Sequence, residues 1–151
     1  MKKVLICGVI AAAFGSSAFA AGTGTADFQV AATVNAKCLS DNATTPVANF
    51  GAIDGFATGV ADATANVKFK CTRGLKITKA TVSKPTSAVA GFQYTAAVDG
   101  GTKSTAGAVG GTNGGADSWT FKVTASIADG QAGDATAATA TTDDQVLTIE
   151  F

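Results

Sequence analysis

Trp119-Thr120-Phe121-Lys122-Val123-Thr124-Ala125-Ser126-Ile127 is apolar at every second position. Trp119, Phe121, Val123, Ala125 and Ile127 fall on one side of an extended chain, with Lys122, Thr124 and Ser126 on the other. A helix would scatter those five residues round its axis. A strand gathers them onto one face and leaves the other in water, as in antiparallel sheets. The same period recurs outward in both directions. Val67, Phe69 and Cys71 alternate with Asn66, Lys68 and Lys70, and Leu75 and Ile77 alternate with Lys76 and Thr78 after a turn near Arg73-Gly74. Phe92, Tyr94, Ala96 and Val98 continue the pattern, and Leu147, Ile149 and Phe151 carry it to the last residue. Near the start, Phe28, Val30, Ala32 and Val34 share one face, opposite Gln29, Ala31, Thr33 and Asn35. A weaker strand over Val47 to Ile53 is expected to carry Phe50 inward.

Between these segments the chain is rich in turn formers. Asp99-Gly100-Gly101 is expected to close a strand, and Thr102 to Asp117 and Gly130 to Thr142 read as Gly/Thr/Ala loops. Ala, Thr and Gly together make 72 of the 151 residues. That leaves too little Leu, Glu and Lys for a helical bundle, and the run Ala135 to Ala140 is broken by Thr. The length is that of one domain, and no composition shift or internal repeat divides it. Six or seven short strands predict an all-β fold, an immunoglobulin-like β-sandwich.

Residues 1–20 read as a signal peptide: Lys2 and Lys3, an apolar stretch from Val4 to Phe14, then Ala18-Phe19-Ala20 as a small-x-small cleavage site. That stretch is too short to span a bilayer. A lipid anchor on Cys7 is disfavoured by the bulky Ile6. Export is therefore the expected route, with Ala21 as the new N-terminus. Removing residues 1–20 leaves nine Lys and Arg against eleven Asp and Glu, a net charge of −2. It also leaves two cysteines, Cys38 and Cys71, which in an oxidising compartment read as one disulfide. A metal held by two thiolates without histidine is the disfavoured alternative.

The absence of histidine removes the commonest general base near neutral pH and the usual catalytic triads. Of the eleven acidic residues, only Asp143-Asp144 are adjacent. Neighbours on a strand point to opposite faces, so this pair reads as a solvated turn rather than an acid/base dyad. Gly110-Gly111 and Gly114-Gly115 lack the strand–GxxxxGK–helix setting of a phosphate loop. Asp129, Asp134, Asp143 and Asp144 lack calcium-ligand spacing. Trp119 and Tyr94, on apolar faces, read as core rather than as a carbohydrate platform. Lys68, Lys70 and Lys122 read as solvating charges facing outward, and nothing in the charge pattern predicts nucleic-acid binding. No enzyme activity, cofactor, metal or small-molecule substrate is expected. The strand at Phe28 to Val34 has two readings: it pairs within its own sheet, or it completes a neighbour's sheet.

An alternating strand ends four residues before Cys38, and Asn49-Phe50-Gly51 follows. Next come Cys71-Thr72-Arg73-Gly74, Gly91-Phe92-Gln93-Tyr94, and a last strand ending on an aromatic, Thr148-Ile149-Glu150-Phe151. In order and spacing the chain from residue 25 to 151 resembles the spore coat protein U domain, the family that includes major pilins of archaic chaperone–usher pili. The resemblance implies an incomplete immunoglobulin-like sandwich missing its last strand. A periplasmic chaperone fills the open groove first. At an outer-membrane usher, the N-terminal segment of the next subunit replaces it. Residues 21–36 would be the donor segment, with Phe28, Val30, Ala32 and Val34 entering the neighbour's groove, and residues 37–151 the pilin domain. Cys38 and Cys71 would be the family disulfide. Leu147, Ile149 and Phe151 would border the groove and pair with the chaperone. The product would be a homopolymeric fimbrium at the cell surface, serving adhesion and biofilm formation. Burying one aromatic and two aliphatic donor side chains contributes roughly 5 to 9 kcal/mol before ordering costs. The alternative is a monomeric secreted β-sandwich, a surface coat or carbohydrate-binding protein.

Overall fold

The computed structural model describes residues 25–136 and 141–151. The expected signal peptide and Ala21–Gly24 lie outside the described residues. The chain divides into two units, residues 1–33 and 34–151. In the first, residues 25–33 form no helix or strand.

The second unit is all-β. Its strands are β1 (Cys38–Ser40), β2 (Ala63–Cys71), β3 (Lys79–Val82), β4 (Thr86–Val89), β5 (Phe92–Val98), β6 (Thr102–Thr105), β7 (Asp117–Ile127) and β8 (Leu147–Glu150). Among the described residues there is no α-helix, only a 3-10 turn at Thr112–Gly115. One sheet of six strands runs β1-β2-β7-β5-β4, with β6 also on β7; a second sheet pairs β3 with β8. Every ladder is antiparallel. Two such sheets are consistent with a β-sandwich.

The alternation that opened the sequence reading is the centre of the large sheet. Strand β7 pairs along its length with β2, from Ala63↔Ala125 to Cys71↔Asp117. Its apolar positions build the core. Phe121 has no exposed surface and meets Phe69 edge-on at 5.8 Å between ring centroids. Ala125 and Ile127 join Phe92, Tyr94 and Ala96 of β5 in a buried cluster.

Some expected elements hold and others are corrected. Asp99-Gly100-Gly101 ends β5 at Val98, as expected, and β6 then resumes along the same neighbour, with Val98 opposite Val123 and Thr102 opposite Thr120. The intervening residues form a bulge, closed by Asp99 Oδ1, which accepts the Gly101 and Lys122 N–H groups at 3.0 Å. Gly101 is required there, because its φ is +72° and an added Cβ would fall 2.2 Å from the Phe121 ring. The expected loop from Thr102 to Asp117 therefore contains β6, the 3-10 turn and the start of β7. Val47 to Ile53 forms no strand, although Phe50 and Ile53 do pack against the core cluster. Leu75 and Ile77 also lie outside any strand, and the pairing begins at Lys79. Two alternating residues are too few to outbid a loop when main-chain partners appear only later. The β4–β5 hairpin turns at Ala90-Gly91, with φ of 50° and 76°. Both residues are left-handed, as a two-residue primed turn requires, but Ala90 is not the residue type that marks such turns in a sequence.

Candidate functional site

Strand β8 is the strand that the family resemblance would set at the edge of a groove. It pairs with β3 from Leu147↔Val82 to Lys79↔Glu150. Leu147 and Ile149 share its half-buried face, as expected. Phe151 lies one residue beyond the strand and is 52% exposed. No strand among the described residues pairs with the other edge of β8, which is thus a sheet edge.

A polar cluster fixes the entry to β8. Tyr94 Oη donates to Asp143 Oδ2, and Gln145 Nε2 donates to both Tyr94 Oη (2.7 Å) and Asp143 Oδ2 (2.9 Å). Lys84 Nζ donates to Asp143 Oδ1. On the β3 side, Ser83 Oγ and Lys84 N–H donate to Gln145 Oε1 at 3.2 and 3.1 Å, while Ser83 Oγ accepts the Val146 N–H at 3.0 Å. The Lys84 ammonium, then the Tyr94 hydroxyl, hold the Asp143 carboxyl well below the usual range. Burial, and then donation to Asp143, push the Tyr94 phenol up. Asp143 is thus an anchor and not the solvated turn that was expected. Asp144 is exposed.

The sequence reading missed a second anchor. Asp117 is 1% exposed at the first position of β7. Its carboxylate accepts Lys103 Nζ at 2.7 Å, the Gly107 N–H at 2.7 Å and the Gly74 N–H at 2.8 Å. The Lys103 hydrogen bond, with those from Gly107 and Gly74, outweighs burial and lowers its pKa from 3.8 to about 2. Lys103 also lies 5.4 Å from the centre of the Trp119 ring. A signal was available: Asp117 is in period with Trp119, Phe121 and Val123, and a polar residue in register with an apolar face is one the fold must satisfy. Trp119 stacks on Phe121 at 6.5 Å and Tyr94 is buried, so both lie on the core side.

Cys38 and Cys71 form the disulfide, with Cα atoms 4.1 Å apart at the facing ends of β1 and β2. Thr72 reinforces this corner, donating its N–H to Lys37 O at 2.8 Å and accepting the Lys37 N–H on Oγ1 at 3.0 Å. The expected donor residues belong to no strand. Phe28 and Val30 are each 85% exposed, and Ala32 and Val34 are exposed as well. Among the described residues no cluster of three or more potential metal ligands occurs, and no helix is long and apolar enough to cross a membrane. No protein-family model, curated protein or solved structure matches the chain.

Proposed function

We propose that the chain is an exported structural subunit that polymerises by donating its N-terminal segment to a neighbour's sheet. One observation carries the reading: among the described residues β8, like its neighbour β3, has a single ladder partner, in a chain whose segment 25–36 carries alternating exposed apolar side chains and no ladder. An open edge and an unpaired alternating segment are complementary in their main-chain hydrogen bonds and in their side-chain spacing. On this reading the domain is an immunoglobulin-like sandwich lacking its last strand. Leu147, Ile149 and Phe151 border the vacant position. Phe28, Val30, Ala32 and Val34 fill it in the next copy.

The spore coat protein U resemblance extends the proposal. The segment 21–36 follows removal of residues 1–20, a periplasmic chaperone protects the open edge, an outer-membrane usher exchanges the strands, and the product is a surface fimbrium for adhesion and biofilm. Exposing such an edge in a crowded compartment invites aggregation, which is the physical need for a chaperone. Catalysis has no part in this reading. Asp117 and Asp143 are each committed to a lysine, and no histidine is present to activate a hydroxyl.

Electrophoresis of surface material tests the reading. Without boiling, a ladder of multiples is expected that collapses to one band on heating, and deletion of residues 21–36 abolishes the ladder. A single monomer band in both lanes contradicts it.

A further inference from the structure

The outward face of the β2–β7 pair concentrates positive charge. Lys68 faces Thr120, Lys70 faces Ser118 and Lys122 faces Asn66, so the three lysines lie on one side of two adjacent strands. By strand geometry each ammonium stem is about 7 Å from the next. The remaining outward positions on these strands are hydroxyl-bearing or amide side chains, with no carboxylate: Thr64, Asn66, Ser118, Thr120, Thr124 and Ser126. At the end of β2 the face runs into a depression of about 460 Å³ whose only charged lining groups are Lys37, Lys70 and Arg73. Exposed Val34, Leu39 and Val109 contribute to its apolar part.

Pairing separates these cations from the others. Among the described residues Lys79, Lys84 and Lys103 each hold a carboxylate within 4.0 Å, at Glu150, Asp143 and Asp117. Of the remaining six cations, five are Lys37, Lys68, Lys70, Arg73 and Lys122. Asp41 lies across from Lys68 and Asp99 across from Lys122. Lys37, Lys70 and Arg73, which line the depression with no acidic residue among them, are therefore the cations an external anion would meet. A second copy's β8 edge is a poor source of one, because Asp143 and Glu150 there are already paired. Nucleic acid is poorly matched too. Phe69, Trp119 and Phe121, the aromatic residues of these strands, all lie on the opposite face, so no base can stack.

We propose that this face and its depression bind an anionic polysaccharide bearing regularly spaced carboxylate groups. The ammonium and guanidinium groups meet the carboxylates, and the Thr and Ser hydroxyls exchange hydrogen bonds with sugar hydroxyls. The site lies within one copy, with Val34 of the proposed donor segment at its rim, and in a fibre it would be repeated once per subunit.

Binding of the full processed chain to immobilised polygalacturonate tests it, with neutral dextran and a short DNA duplex as the other arms. Salt-sensitive binding to polygalacturonate is expected, with none to dextran and weaker binding to the duplex. K68Q/K70Q should weaken it at least about tenfold and lower the salt dependence, as removal of two ion contacts requires. K76Q/K79Q removes the same charge elsewhere and should leave binding within about twofold. Melting curves establish that both variants fold, and R73Q/K122Q serves if K68Q/K70Q does not. Absence of binding at low salt, equal losses in the two charge-matched variants, or tighter binding to the duplex would each overturn the proposal.

Discussion

The two ends of the chain carry the same period-2 pattern and have different fates. At the C-terminus, Leu147 and Ile149 sit in a ladder with β3, and side chains from Ser83, Lys84 and Tyr94 tie down the approach through Asp143 and Gln145. At the N-terminus, Phe28, Val30, Ala32 and Val34 have the same spacing, and no ladder includes them. Alternation marks a segment that is able to pair. Polar anchors beside it decide whether it is held in its own fold, because ordering a strand costs about 1 to 2 kcal/mol per residue that side-chain burial alone must otherwise offset.

Truncation should show the contrast at its largest. Removing residues 145–151 takes away β8 and Gln145, and the remainder is expected to lose cooperative unfolding. Removing residues 21–36 from the unpolymerised chain should leave the melting midpoint of the body nearly unchanged. Equal destabilisation by both truncations, followed by circular dichroism, would erase the distinction.

The disulfide sets the root of the N-terminal segment. Replacing Cys38 and Cys71 with serine should cost about 3 to 4 kcal/mol, read from the urea midpoint, since the bond closes a long loop. The segment beyond it should be no less exposed to protease, having no ladder to lose.

At the other end, Asp143→Ala leaves the Tyr94 hydroxyl and Lys84 without their acceptor. The expected cost is about 1 to 3 kcal/mol. Hydrogen exchange should quicken first at Val146 to Glu150, whereas a uniform change across the body would show that the cluster is not specific to β8.

Asp117 gives a contrast remote from both termini. Its depressed pKa stabilises the fold above the ordinary carboxylate value near 3.8, and that contribution is lost as pH falls through about 2. Because the carboxyl is buried, the loss is about 2 kcal/mol. Asp117→Asn should flatten the acid limb of stability against pH; an unchanged limb would remove Asp117 from the account. Smallest is the hairpin, where Ala90→Asn should stabilise by about 1 kcal/mol, by relieving a left-handed alanine. It should alter neither end.

Much of the large sheet was legible. Strands β2, β5 and β7 follow uninterrupted alternation, and the two cysteines beyond residue 20 have one partner each. The short strands β3, β4 and β6 were not legible, because Lys79–Val82, Thr86–Val89 and Thr102–Thr105 contain too few apolar positions for a period. Their places come from tertiary partners: β8 for the first, β5 for the second and β7 for the third. Asp143 and Asp117 were hidden for a related reason. An aspartate in a Gly- or Thr-rich stretch reads as a turn residue, and only the fold brings Lys84 and Tyr94, or Lys103 and two distant N–H groups, to it.

The account turns on strand donation, and a peptide tests that most directly. The body lacking residues 21–36 is titrated with a synthetic peptide of residues 21–36 and its melting midpoint followed. The account predicts saturable one-to-one binding that raises the midpoint, lost when Val30 and Val34 in the peptide are changed to Asp. No rise, or the same rise with the Val30→Asp, Val34→Asp peptide, would contradict it.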